Sequence, residues 1–149
     1  MDINIREGGM NDLKELAIMN SFGIESGRIL AEKELPRFIK VGNLIVAESG
    51  KEIAGLLYFE RKFFDTTDSN NWFLTQVTVG DSFRRKGIGE KLWVYFLQFA
   101  KQNSVKRVFA DIRESNTASF NLAKKLGGID SGYLDFGDGD KRHFYRFDL

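Results

Sequence analysis

"VTVGDSFRRKGIGEKL", residues 77–92, decides how this chain is read, because it passes from a β-type run into a helical one through a Gly-x-Gly pair preceded by three basic residues. Val77 and Val79 continue a β-branched and aromatic run that begins at Trp72, whereas Ile88, Leu92, Phe96 and Phe99 recur at helical spacing. Glycines between a strand and a helix let backbone N–H groups point outward with the positive end of the helix dipole behind them. Their missing Cβ atoms leave room for a bulky anion. The surrounding charge agrees: residues 84–107 hold seven Lys and Arg (Arg84, Arg85, Lys86, Lys91, Lys101, Lys106 and Arg107) against one acid, Glu90. The whole chain of 149 residues has a formal net charge of only +1. That balance describes a local anion site and argues against a nucleic-acid binder, which needs a basic face covering several phosphates.

Spacing separates the anion-binding plans. A dinucleotide fingerprint requires a third glycine at position 92, where Leu92 stands, and a Walker loop requires Gly-Lys-Ser/Thr after a longer spacer, which is absent. The pattern that remains is Arg/Gln-x-x-Gly-x-Gly/Ala, met by Arg84, Gly87 and Gly89. A plain helix start with exposed cations is the competing reading of the same residues.

Working outward, Ile3 and Ile5 form a short strand ending at Gly8 and Gly9, and Asn11 or Asp12 caps a helix carrying Leu13, Leu16 and Ala17. A second helical region over residues 23–40 contains the only proline, Pro36. Residues 43–48 and 52–63 form a hairpin about Ser49-Gly50-Lys51, a polar loop covers residues 65–71, and a strand covers residues 72–79. The helix that starts at Ile88 ends near Asn103, and "KRVFADI", residues 106–112, is again a strand. Ser115 or Asn116 then caps a helix that stops at Gly127-Gly128, and residues 132–136 pair with 143–149 as a closing hairpin. The fold class is therefore α/β or α+β, with a mixed, mostly antiparallel sheet flanked by helices. The length fits a single domain over residues 1–149.

Composition excludes further classes. A hydrophobic fraction of 42% supports a packed core, and the absence of cysteine removes disulfides, thiolate metal ligands and a cysteine nucleophile. No apolar run approaches the roughly 20 residues that span a bilayer, so a soluble cytoplasmic protein without membrane attachment is expected. No metal site is expected either. The acids Asp135, Asp138 and Asp140 miss the spacing of a calcium loop and read as a hairpin turn, and the Asp-Phe-Gly at 135–137 lacks the other signatures of a kinase. His143, the only histidine, alternates along a strand and reads as structural.

The segment at 77–92 resembles the acyl-CoA pyrophosphate loop of the GNAT superfamily of N-acetyltransferases. "RESNTASFNLAKKLGG", residues 113–128, is similar to a second motif of that family, an Asn-x-x-Ser/Ala followed by a helix ending Lys-Leu-Gly. The hairpin "LIVAESGKEIAG" is family-like too, so the resemblance covers about residues 3–149. It implies a GNAT-like fold and acetyl transfer from acetyl-CoA, a co-substrate, to a primary amine on a small molecule or peptide; a homodimer is compatible with it. By position, Arg84, Arg85, Lys86, Gly87, Ile88, Gly89 and Glu90 hold the pyrophosphate. Val77, Thr78 and Val79 run beside the pantetheine arm, and Asn116 with Ser119 faces the cofactor. Acyl-CoA then enters where strands 72–79 and 106–112 diverge.

The chain also departs from the family. Many members carry a Tyr where Ala123 stands, a Phe where Gly128 stands and a Pro where Asp81 stands, and the strand 72–79 offers Gln76 but no acid. Asp111 matches the place of the general base in ribosomal-protein N-terminal acetyltransferases, with Glu114 as second choice and a water relay as a third route. Glu60 or Asp65 can attract a cationic acceptor. Direct attack in a ternary complex follows from the lack of cysteine. The alternative function is a non-catalytic acyl-CoA-binding or regulatory domain, which Ala123 and Gln76 keep open.

Overall fold

Residues 2–21, 25–63 and 70–149 are described by a computed structural model. The elements run β1 (Ile3–Glu7), α1 (Leu13–Met19), α2 (Glu25–Lys40), β2 (Leu44–Ser49), β3 (Glu52–Glu60), β4 (Asn71–Val79), α3 (Ile88–Gln102), β5 (Arg107–Arg113), α4 (Thr117–Lys125), β6 (Ile129–Leu134) and β7 (Arg142–Asp148), with 3₁₀ turns at Met10–Asp12 and Asp81–Phe83. The seven strands follow the order β1-β2-β3-β4-β5-β7-β6. β1 with β2, β2 with β3, β5 with β7 and β6 with β7 are antiparallel. β4 and β5 are parallel, with Asn71 opposite Arg107 and Leu74 opposite Ala110. The sheet is mixed and mostly antiparallel, as the sequence pattern predicts. Among the described residues no helix is long and apolar enough to cross a membrane.

Contacts gather into two units, Met1–Phe59 with Gln76–Phe96 and Glu60–Thr75 with Leu97–Leu149. In the first, Leu16 and Ala17 of α1 and Leu35, Phe38 and Ile39 of α2 form one buried cluster with Leu44, Val46, Leu56 and Tyr58 of the hairpin. Helix α2 runs through Pro36, which removes a backbone donor and normally breaks a helix. The burial of Leu35, Phe38 and Ile39 around it offsets that cost. Asp12 stands at the start of α1 without capping it through its side chain. Its carboxylate is taken instead by Arg6 at 2.9 Å and by the Gly9 amide at 2.8 Å, while Arg6 also reaches Glu48 at 3.0 Å. One guanidinium thus ties β1, the first 3₁₀ turn and β2. The hairpin turns at Gly50 with φ 62°, a left-handed conformation that glycine adopts without strain.

In the second unit β5 alternates strictly, with Val108, Ala110 and Ile112 buried. Register pairs Asp111 with Phe144 and Ile112 with His143, so Asp111, Phe109 and Phe144 share one face of the strand pair and His143 and Tyr145 share the other. β3 ends at Glu60 and not at 63, because Arg61 turns over the ring of Trp72 at 4.9 Å and Phe63 stacks on Phe109 at 4.2 Å. Asn116 caps α4, its side chain accepting from the Ser119 amide at 3.2 Å. After the helix a Cβ on Gly128 would lie 2.8 Å from the Ala123 carbonyl oxygen and 2.9 Å from Phe147 Cζ. A phenylalanine therefore cannot occupy this position without backbone movement.

The turn between β6 and β7 is held by carboxylates, as the reading of Asp135, Asp138 and Asp140 as turn residues requires. Ser115 donates its hydroxyl to Asp140 at 2.6 Å and its amide at 3.0 Å, and Arg113 stands 3.5 Å from Asp138. The Ser115 bonds hold the Asp140 carboxyl below the usual carboxylate range, and the Asp140 amide does the same for Asp138. A folded-state pKa below the unfolded one contributes stability that is present above the ordinary carboxylate pKa and is lost as pH falls through it. Thermal unfolding of the parent should lose stability between about pH 5 and pH 3. Ser115→Ala should lower the melting temperature at pH 7 and flatten that slope.

Candidate functional site

The chain leaves β4 at Gly80, whose amide is held by the Ala54 carbonyl at 2.8 Å, and passes through the turn Asp81–Phe83 to Arg84 in extended conformation. Arg85 then adopts φ 62° and Gly87 φ 75°, and α3 begins at Ile88. A left-handed arginine costs energy that the fold has to offset, and such outliers gather at binding sites. Helix α3 is fixed from below, with Ile88, Leu92, Trp93 and Phe96 buried, while residues 84–87 are exposed. Its first hydrogen bond runs from the Lys91 amide to the Gly87 carbonyl at 3.1 Å, so the Ile88 and Gly89 amides have no acceptor within the helix. Arg84 pairs with Asp81 at 3.1 Å with both side chains largely exposed, a contact worth little.

The two glycines of the loop differ in what requires them. Gly87 needs its left-handed φ, and a Cβ there would meet nothing within 4 Å. Gly89 has no such conformation, and its Cβ would meet only Val79 Cγ2 at 3.8 Å. Nothing inside the described chain forbids alanine at 89.

On β4, Gln76 stands where the sequence lacks an acid, and its amide is fully engaged. Tyr58 donates its hydroxyl to Gln76 Oε1 at 2.9 Å, and Gln76 Nε2 donates to Asn20 Oδ1 at 2.7 Å and Thr78 Oγ1 at 3.0 Å. Burial pushes the Tyr58 phenol up. Gln76 and the Thr78 side chain serve this network, which fastens α1 and the hairpin to β4. The partners lie 18 and 56 residues from Gln76, beyond any local pattern.

The two candidate bases are kept apart. Asp111 lines an open cavity of about 400 Å³ together with Glu60, Lys62, Phe63, Phe73, Leu134, Phe136 and Phe144. Arg142 stands 3.8 Å from its carboxylate, outside hydrogen-bond distance. Glu114 lies past the end of β5 with its carboxylate 3.5 Å from His143 Nε2, on the side of His143 and not of the cavity. His143 is held by Asp130 through Nδ1 at 2.7 Å and meets the Phe120 ring edge-on at 5.0 Å. A carboxylate-held imidazole was not legible in the sequence, since Asp130 and His143 are 13 residues apart on different strands. Next to it the Tyr145 hydroxyl is buried without a hydrogen-bond partner among the described residues, and burial pushes this phenol up as well. Ala123 is fully buried. No cluster of His, Asp or Glu able to hold a metal occurs among the described residues. Asp65 lies outside them.

The loop geometry generates an expectation with opposite signs for stability and binding. Gly89→Ala should raise stability by up to about 1 kcal/mol, because alanine is the better helix residue and meets no clash. The same methyl should weaken CoA about tenfold or more by spoiling a charge-assisted hydrogen bond to the backbone. Chemical denaturation and calorimetry on one preparation check both.

Comparison with known proteins agrees with this geometry. Among solved structures, an N-acetyltransferase from Staphylococcus aureus matches with a TM-score of 0.82 at 21% identity, covering 99% of this chain and 99% of its own. The ribosomal-protein-alanine N-acetyltransferase of Brucella melitensis matches with a TM-score of 0.83 at 22% identity, covering 98% of this chain and 99% of its own. A Salmonella typhimurium protein solved with its cofactor acetyl-CoA matches with a TM-score of 0.81 at 18% identity, covering 100% of this chain and 95% of its own. No curated protein matches the sequence significantly. The profile of the Acetyltransferase (GNAT) family matches residues 16–128, which include the whole loop and the Asn116 motif, and the chain belongs to that family.

Proposed function

We propose that this protein is a single-domain acetyltransferase that moves an acetyl group from acetyl-CoA to a primary amine by direct attack. The observation that carries the reading is Gly89, a glycine that no contact within the described chain requires, beside a left-handed Arg85 and Gly87 at the head of α3. The amides of residues 85–90 hold the pyrophosphate, and Arg84, Arg85 and Lys86 add screened attraction. Val77, Thr78 and Val79 offer strand backbone to the pantetheine arm. Asn116 and Ser119 head α4, where the cap already orients the Ser119 amide.

The bound thioester supplies an activated acetyl group; the rest is positioning and proton transfer by the chain. An ammonium has no lone pair, so the acceptor must lose a proton before it attacks, and Asp111 is placed beside a cavity to take it. The nitrogen then forms the new C–N bond as the C–S bond breaks, the sulfur leaves as a thiolate, and the second proton that the nitrogen gives up on becoming an amide passes through solvent to that sulfur. A thiol with a pKa of about 8.5 is a tolerable leaving group near neutral pH, so the absence of a tyrosine at Ala123 need not stop the reaction. Glu114, directed at His143, is less suited to the role.

A second reading, an acyl-CoA-binding domain without catalysis, draws on the buried Ala123 and on Gln76, whose amide is committed to Tyr58 and Asn20. Thiol release with a panel of amines separates the two: CoA binding with no release for any amine favours the second.

Asp111→Asn should lower turnover by about 10²- to 10⁴-fold and flatten the acid limb of the rate profile, more so for lysine-type amines, of pKa about 10.4, than for α-amines near 7.7 to 8.0. Tyr145→Phe should change turnover by less than about tenfold, because a positioned acid normally supplies about 10²-fold or more. A hundredfold loss would make that orphaned phenol the acid.

A further inference from the structure

The cavity beside Asp111 has a chemistry of its own. Phe63 stacks on Phe109 with centroids 4.2 Å apart and planes 6° apart, lies 5.6 Å from Phe73, and meets Phe144 edge-on at 6.4 Å. The lining also includes Leu134 and Phe136, which are 50% and 58% exposed. Large apolar side chains left open around one concave site point to an apolar ligand. The lining carries two acids, Glu60 and Asp111, and one cation, Lys62, while Arg142 stands 3.8 Å from Asp111 and 4.7 Å over the Phe136 ring. A polycation gains little from so small an excess of negative charge. A single ammonium can be met by Asp111 while the rest of the molecule covers the phenylalanines.

We propose that the acceptor is a small monoamine bearing an aromatic ring, seated with its ring among Phe63, Phe73, Phe136 and Phe144 and its nitrogen at Asp111. This rests on the acetyl-transfer reading above, and it names the acceptor class that this reading leaves open. Leu134 and Phe136 are the specificity-determining residues, since they are the half-exposed apolar side chains of the lining. Because both side chains are about half exposed, replacing them should leave the fold intact.

The test compares phenethylamine, ethylamine and spermidine as acceptors, following thiol release with saturating acetyl-CoA, and measures the Kd of each amine without acetyl-CoA by calorimetry. Phenethylamine should exceed ethylamine by about 10- to 100-fold in kcat/KM and in affinity, the gain expected from burying a phenyl group, and should exceed spermidine. In the double variant Leu134→Ser with Phe136→Ser, confirmed folded by circular dichroism, that ratio should fall to about threefold or less. Thiol release with equal or better use of ethylamine or spermidine overturns the inference while leaving acetyl transfer standing. So does an undiminished ratio in the double variant. Ring-dependent binding that the variant abolishes, with no thiol release for any amine, upholds the aromatic-amine site and rejects the acetyl-transfer reading.

Discussion

Between β4 and α3 the polypeptide has to do two things at once: drive a helix into the core and turn from extended chain into that helix within a few residues. Ile88, Leu92, Trp93 and Phe96 do the first, since their burial fixes the axis and position of α3. Arg85 and Gly87 do the second, by taking left-handed conformations just before the helix begins. The local strain persists only because the flanking strand and the buried stripe leave the loop no cheaper path. Gly80 contributes at the other end, where its amide is tied to Ala54 on β3. The loop is therefore pre-shaped by the fold, and a ligand that fills it need not order it first.

Much of this was legible in the sequence because it depends on neighbours in the chain. The Gly50 turn, the helical stripe from Ile88 to Phe99 and the cap at Asn116 are all decided within a few residues, and each stands where its pattern puts it. Other features depend on partners far away. Asn11 or Asp12 reads as a helix cap, yet Arg6 takes the Asp12 carboxylate. Residues 61–63 read as strand, yet Trp72 and Phe109 draw Arg61 and Phe63 out of β3. Pro36 lies inside the helical region expected over residues 23–40, and core burial carries α2 past it.

The site divides along the same line. The loop proposed to hold the cofactor is a contiguous motif, so the sequence alone could nominate it. The cavity proposed for the acceptor is lined by Glu60, Phe73, Asp111, Phe136 and Phe144 among others, which no spacing rule connects. Nor could a strand period separate Asp111 from Glu114, since Glu114 lies past the end of β5. The structure keeps them apart, Asp111 on the aromatic cavity and Glu114 toward His143. Gln76 shows the converse, since a residue that looked like a missing acid is the centre of a network joining Asn20, Tyr58 and Thr78.

The central claim is that backbone amides at the head of α3 bind the diphosphate of CoA. Residue-resolved amide hydrogen exchange, with and without CoA and with pantetheine as the phosphate-free control, tests it most directly. CoA should slow exchange at residues 85–90, and pantetheine should leave those amides unchanged. Slowed exchange elsewhere in the chain with residues 85–90 unaffected by CoA would contradict it.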